Sequence, residues 1–116
     1  MSRFDSTEAT NRNIPKVVSN FKNELVYMSR SAIPGTKYGH SKKTYKQVCI
    51  YAFTKDELNK FYEYGLENGK SQLEWTEDIE VLRFVELGMK VKMVETFGTT
   101  QAVDVPDDVD KVLELL

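Results

Sequence analysis

Lys16-Val17-Val18-Ser19, Asn20-Phe21-Lys22-Asn23 and Glu24-Leu25-Val26-Tyr27-Met28 follow one another without interruption. Two short runs rich in β-branched and other apolar residues flank a polar turn, which is the pattern of a β-hairpin. An isolated hairpin is marginally stable in water, so further layers must cover its apolar face. The flanking sequence has to supply them.

Upstream, Met1 to Asn13 is polar, has little to bury and lacks the apolar segment of a secretory signal. Residues 1–15 are therefore expected to form a flexible N-terminal arm, and residues 16–116 a single domain. Downstream, residues 29–44 follow neither a helical nor a strand period and are punctuated by Pro34 and Gly35. Structureless stretches of that length are uncommon unless they are functional or disordered.

Gln47-Val48-Cys49-Ile50-Tyr51-Ala52-Phe53 is the strongest candidate strand, with the nearly continuous apolar character of one covered on both faces. Thr54 and Glu57 stand at the spacing of a capping box, opening a helix with Leu58, Phe61 and Tyr62 on one side that should stop near Gly65. Trp75, Ile79, Leu82 and Val85 form one face of a second helix, from about Trp75 to Leu87, and Gly88 ends it. Val91 to Glu95 alternates as a half-buried strand, and Val103-Asp104-Val105 is short and extended. Pro106 opens a last helix, with Asp107 and Asp108 complementing its dipole and Val109, Val112, Leu113 and Leu116 as its buried face. The order predicts an α/β or α+β layered domain with a mixed sheet, a β-hairpin and three helices.

The 116 residues allow one compact domain, with 41% apolar and 29% charged residues. A formal net charge of -2 gives no global attraction for nucleic acid or anionic lipid. No apolar run reaches the roughly 18 to 20 residues needed to span a bilayer. Cys49 is the one cysteine, which excludes an internal disulfide and suits a reducing cytoplasm. Neither a nucleic-acid nor a membrane partner is expected, although Lys37 to Lys46 could draw an anionic ligand to an otherwise solvated loop. His40, the one histidine, lies in that loop without a catalytic companion.

Lys16-Val17-Val18 followed by Leu25-Val26-Tyr27-Met28-Ser29-Arg30-Ser31-Ala32-Ile33-Pro34 resembles a block of the 3-deoxy-manno-octulosonate (Kdo) cytidylyltransferases. Ile50 to Phe53, Leu73 to Arg83, and Val103 to Val109 resemble further blocks of that family, in the same order. The resemblance implies the C-terminal portion of a nucleotide-diphospho-sugar-transferase-like fold. It also implies a parent protein that transfers CMP from CTP to Kdo or a related sugar acid, releasing pyrophosphate, for lipopolysaccharide biosynthesis. The Gly/Arg/Lys loop that holds CTP in such enzymes has no counterpart before Lys16, so this stretch alone is expected to be inactive. A homodimer through the hairpin and the long loop is expected as well. The rival readings are a non-catalytic homo-oligomeric assembly module derived from the fold, and a small nucleic-acid-binding domain.

Site residues follow from the same resemblance. Asp104 matches a metal ligand, implying Mg²⁺, although a carboxylate before a helix can equally be a cap. Arg30 matches an arginine near the sugar acid, and a guanidinium suits a carboxylate; it could also be a strand-end ion pair. Glu80 and Tyr51 match sugar-contacting positions, against the alternatives of a Glu80–Arg83 surface pair and a core tyrosine. Gln47 stands where the family often has histidine, and Val81 where it has glutamine. Both are expected to face the sugar acid and to shift selectivity among acids.

Overall fold

The computed structural model describes residues 1–3, 7–39, 44–98 and 101–116. Its elements are β1 (Ser2–Arg3), β2 (Lys16–Ser19), β3 (Leu25–Ser29), β4 (Tyr45–Lys46), α1 (Lys55–Asn68), α2 (Gln72–Glu77), α3 (Val81–Glu86) and α4 (Asp107–Leu115). The fold is α/β, and the expected hairpin is its centre. β2 pairs antiparallel with β3, Val17 facing Met28, and Asn20 closes the turn by accepting the N–H groups of Lys22 and Glu24 at 2.9 Å. The sheet order is β1-β4-β2-β3, and every pairing is antiparallel, where a mixed sheet was expected.

The expected arm over residues 1–15 is tied down where it is described. Ser2–Arg3 is a strand beside β4, the terminal ammonium donates to the Val94 carbonyl at 2.9 Å, and Met1 is buried. Composition gave no hint of this, because so short a strand gains its stability from what it lies against.

Residues 47–53 form no strand, contrary to expectation. The Ile50 N–H closes a tight turn onto Val48 O at 2.7 Å, and Ile50 is 84% exposed. β-propensity needs a partner ladder, and among the described residues this segment has none beyond the Gln47 N–H bond to Pro15 O. Val91 and Met93 are buried while Lys92 and Val94 are exposed, as the alternation requires. Pairing there is reduced to one bridge, Glu24 with Lys92.

The capping box opens α1 as read: Glu57 N–H donates to Thr54 Oγ1 and Thr54 N–H donates back to Glu57 Oε2. The helix runs past Gly65 to Asn68. The helix expected over 75–87 is instead two short ones, because Asp78 takes a left-handed conformation (φ 53°, ψ 51°) that Asp tolerates better than most residues. The break turns Trp75 out to solvent while Ile79 and Leu82 stay buried. Gly88, at φ 77°, follows α3 as expected.

The core gathers Val17, Leu25, Met28 and Tyr45 from the sheet with Ile79, Val81, Leu82 and Phe84 from the α2–α3 region. Phe84 stacks between Phe53 (4.2 Å) and Phe61 (4.7 Å). The face of α4 expected to be buried is largely open, with Val109, Leu113 and Leu116 exposed, and on α1 Leu58 and Tyr62 are exposed as well.

Candidate functional site

A cleft of about 770 Å³ opens beside the end of β3, and Arg30, Gln47, Tyr51, Glu80 and Asp104 all line it. They arrive from separate segments: the end of β3, the irregular run after β4, the residue before α3, and the approach to α4. Sequence distance concealed the site, and the tertiary structure assembles it. Val81 departs from expectation. It is buried in the core, so a polar-to-apolar change there does not alter the wall of the cleft.

Arg30 is held as a rigid group. Its Nε donates to Glu77 O at 2.5 Å, Nη1 to Arg12 O and Nη2 to Asp78 O, both at 2.9 Å. A guanidinium carries five N–H donors in a fixed plane, so these bonds orient it without exhausting it. Beneath it, the fully buried Lys16 donates its Nζ to Asn11 O at 2.5 Å and to Arg30 O at 2.9 Å. Burial, and then the Arg30 charge, pull the Lys16 ammonium below its usual pKa. The alternative of a strand-end ion pair with a surface acid does not hold: the guanidinium bonds backbone carbonyls instead.

Tyr51 accepts a 2.6 Å hydrogen bond from Gln47 Nε2, an amide orientation assigned from the bonding pattern. Burial pushes the phenol up to about 12; the Gln47 bond opposes the shift, while Cys49 and Glu80 add to it. Tyr51 therefore stays neutral near neutral pH, with its O–H free to donate into the cleft. Cys49 is free and exposed. Its thiol is raised by partial burial and then by the Asp104 and Glu80 carboxylates.

Glu80 is exposed on the cleft wall. The alternative of a Glu80–Arg83 surface pair does not hold: Arg83 turns inward and grips Glu74, Nε to Oε2 at 2.7 Å and Nη2 to Oε1 at 2.9 Å. Asp104 is exposed just before α4, and its backbone N–H donates to Asp108 Oδ2 at 3.1 Å. Asp108 also accepts from the Val105 N–H at 3.2 Å and from Lys111 Nζ at 2.8 Å. The Lys111 bond, with the two backbone donors, holds the Asp108 carboxyl below the usual range. Val105 and Pro106 offer no capping side chain at this helix start, and Asp108 does the capping by reaching backwards. Sequence reading credited Asp108 only with a dipole contribution, although its spacing from Asp104 was the available signal.

Among the described residues no three His, Cys, Asp or Glu groups come together as a metal cage. Mg²⁺ commonly takes one or two protein carboxylates and completes its shell with substrate and water oxygens. Asp104 fits as one such ligand and no more. Lys46, missed as a cleft residue, lines the wall paired with Glu8 at 2.7 Å. Lys37 is exposed beside the Tyr38 ring, whereas His40, Lys42 and Lys43 lie outside the described residues. No described helix is long and apolar enough to cross a membrane.

No family model matches the chain. Curated relatives do. The 3-deoxy-manno-octulosonate cytidylyltransferase of Christiangramia forsetii is 38% identical over 113 residues, covering 97% of this chain and 44% of the relative. That of Parabacteroides distasonis is 38% identical over 112 residues, covering 91% and 43%, and that of Escherichia coli 31% over 113 residues, covering 97% and 44%. The chain thus spans less than half the length of the curated relatives it matches. Among solved structures, a CMP:2-keto-3-deoxy-manno-octonic acid synthetase complexed with CTP superposes with a TM-score of 0.83 at 30% identity, covering 98% of this chain and 46% of that one. In sequence and in fold, the chain belongs to the 3-deoxy-manno-octulosonate cytidylyltransferase family and corresponds to the C-terminal part of its members.

Proposed function

We propose that this chain forms the sugar-acid wall of a cytidylyltransferase that transfers CMP from CTP to Kdo or a related acid. The observation that carries the reading is the convergence of Arg30, Gln47, Tyr51, Glu80 and Asp104 on one cleft. In the reaction a hydroxyl of the acid attacks the α-phosphate and pyrophosphate leaves, which demands positioning and charge neutralisation more than covalent chemistry. Arg30 offers its remaining N–H groups to the substrate carboxylate. Tyr51 donates to a sugar oxygen while Gln47 fixes its lone pair, and Glu80 accepts from hydroxyls. Asp104 gives one carboxylate oxygen to Mg²⁺, which when bound neutralises phosphate charge. The nucleotide pocket and further metal ligands lie outside these residues, so the 116 residues alone bind the acid without turning it over. The protein works in the cytoplasm, as a homodimer.

Titration of the labelled chain with Kdo, followed by NMR, tests the wall. Tyr51 and Gln47 signals should move, and Arg30→Lys and Tyr51→Phe should each weaken binding. Pyrophosphate release from CTP, Mg²⁺ and Kdo should be absent for this chain, and steady turnover would contradict the division of labour. In a longer protein containing this stretch, Asp104→Ala should abolish turnover.

The exposed apolar faces of α1 and α4 favour a second reading, a non-catalytic homo-oligomeric assembly module. Self-association with no Kdo-dependent change at Gln47 or Tyr51 would support it over the first.

A further inference from the structure

We propose that Glu77 is a positioning residue for the cleft: its carboxylate fixes the backbone that aims the Arg30 guanidinium, although Glu77 does not itself line the cleft. The inference rests on the reading of Arg30 as the carboxylate-gripping group, but the orientation of that group can be measured without any ligand.

Glu77 ends α2, and its carboxylate is anchored to β3 at several points. Oε1 accepts from Ser29 Oγ at 2.7 Å and from Tyr27 Oη at 3.1 Å; Oε2 accepts the Arg30 N–H at 2.9 Å. The next residue, Asp78, takes the left-handed turn that ends the helix. Together the anchored carboxylate and the turn present the carbonyls of Glu77 and Asp78 side by side, and Arg30 Nε and Nη2 donate to them. Two of the three bonds that set the guanidinium plane thus come from this backbone corner, the third from Arg12 O, and the corner is set by the Glu77 carboxylate. Asp78 cannot take over the anchoring, because its own carboxylate pairs outward with Lys70 at 2.6 Å. An arginine with free rotamers loses entropy on gripping a ligand, whereas one held in advance loses less.

The test uses the ¹⁵N-labelled chain and the Nε–H signal of Arg30, assigned by its loss in Arg30→Lys. In the wild type this proton should be protected from solvent exchange. In Glu77→Gln, where an amide faces hydroxyl and N–H donors, exchange should quicken about tenfold and Kdo affinity should fall about tenfold, the scale of one charge-assisted hydrogen bond. Backbone signals of β2 and β3 should persist. A merely structural Glu77 would lower Tm and leave the Arg30 signal and the affinity unchanged, which would overturn the proposal. If Glu77→Gln does not fold, Ser29→Ala removes one anchor of the same carboxylate and should shift the Arg30 signal in the same direction; no shift overturns the proposal. If the wild type does not bind Kdo, the reading of the cleft fails, and the exchange rate of the Arg30 proton alone decides the positioning role.

Discussion

Glu74 and Arg83 form a bidentate ion pair whose side chains are 2% and 9% exposed, with Arg83 also donating Nη1 to Phe61 O at 3.0 Å and lying over the Phe61 ring. Removing one partner of such a pair leaves a buried, uncompensated charge, which costs about 3–5 kcal/mol. Glu74→Ala should therefore lower unfolding stability by that amount in urea titration, far more than Glu80→Ala, which removes only an exposed carboxylate. Glu77 offers a pH signature. Burial pushes its carboxyl up, but the bonds from Arg30 N–H, Ser29 and Tyr27, with the Arg30 charge, outweigh burial and leave it below the ordinary range. A lowered folded-state pKa contributes stability that is fully present above the unfolded carboxylate range and lost as pH falls through the folded value. Stability measured from neutral to acid pH should consequently fall less steeply in Glu77→Gln than in the wild type.

The helices show how local signals and packing share the outcome. The capping box at Thr54 was legible because its partners are three residues apart in sequence. Gly65 was misread as a stop because its reason to be glycine is a distant side chain: an added Cβ would stand 2.6 Å from Arg83 Nη1. Replacing glycine by alanine within a helix ordinarily gains about 1 kcal/mol. Here Gly65→Ala should lower Tm, since the guanidinium is pinned by Glu74 and Phe61 and cannot yield cheaply. In an Arg83→Ala background the same substitution should become stabilising; a gain in the wild-type background would refute the contact. At the other end of the chain, Asp108→Ala should speed amide exchange at Asp104 and Val105, the two N–H groups its carboxylate holds.

Across the whole molecule, much apolar surface remains open. Leu58, Tyr62 and Leu66 repeat every four residues along α1, and all are exposed. Surface substitutions remote from packed contacts usually change stability by less than about 0.5 kcal/mol. Leu58→Glu with Leu66→Glu should accordingly leave thermal unfolding nearly unchanged while reducing self-association in sedimentation. A large loss of stability would mean that the face is packed within the chain.

Residues 16–28 specified their own hairpin, because a polar turn between two apolar runs carries its register locally. Thr54 with Glu57, and Gly88, likewise marked their helix ends from neighbours close in sequence. The resemblance also named five of the residues that line the cleft, since chemistry-bearing side chains are written in the sequence as residue types. What it could not contain was anything that depends on a distant partner. The strand expected at residues 47–53 did not form, since apolar character lacks force without a ladder to join. Ser2 and Arg3 entered the sheet because a place for them existed beside β4. Arg83 turned from a surface ladder to the interior because Glu74 waited there, and Arg30 became a fixed group because a helix far along the chain aims two carbonyls at it. Local hydrogen bonds and side-chain volume act over a few residues, whereas burial and charge pairing act through space, and only the folded chain brings those partners together.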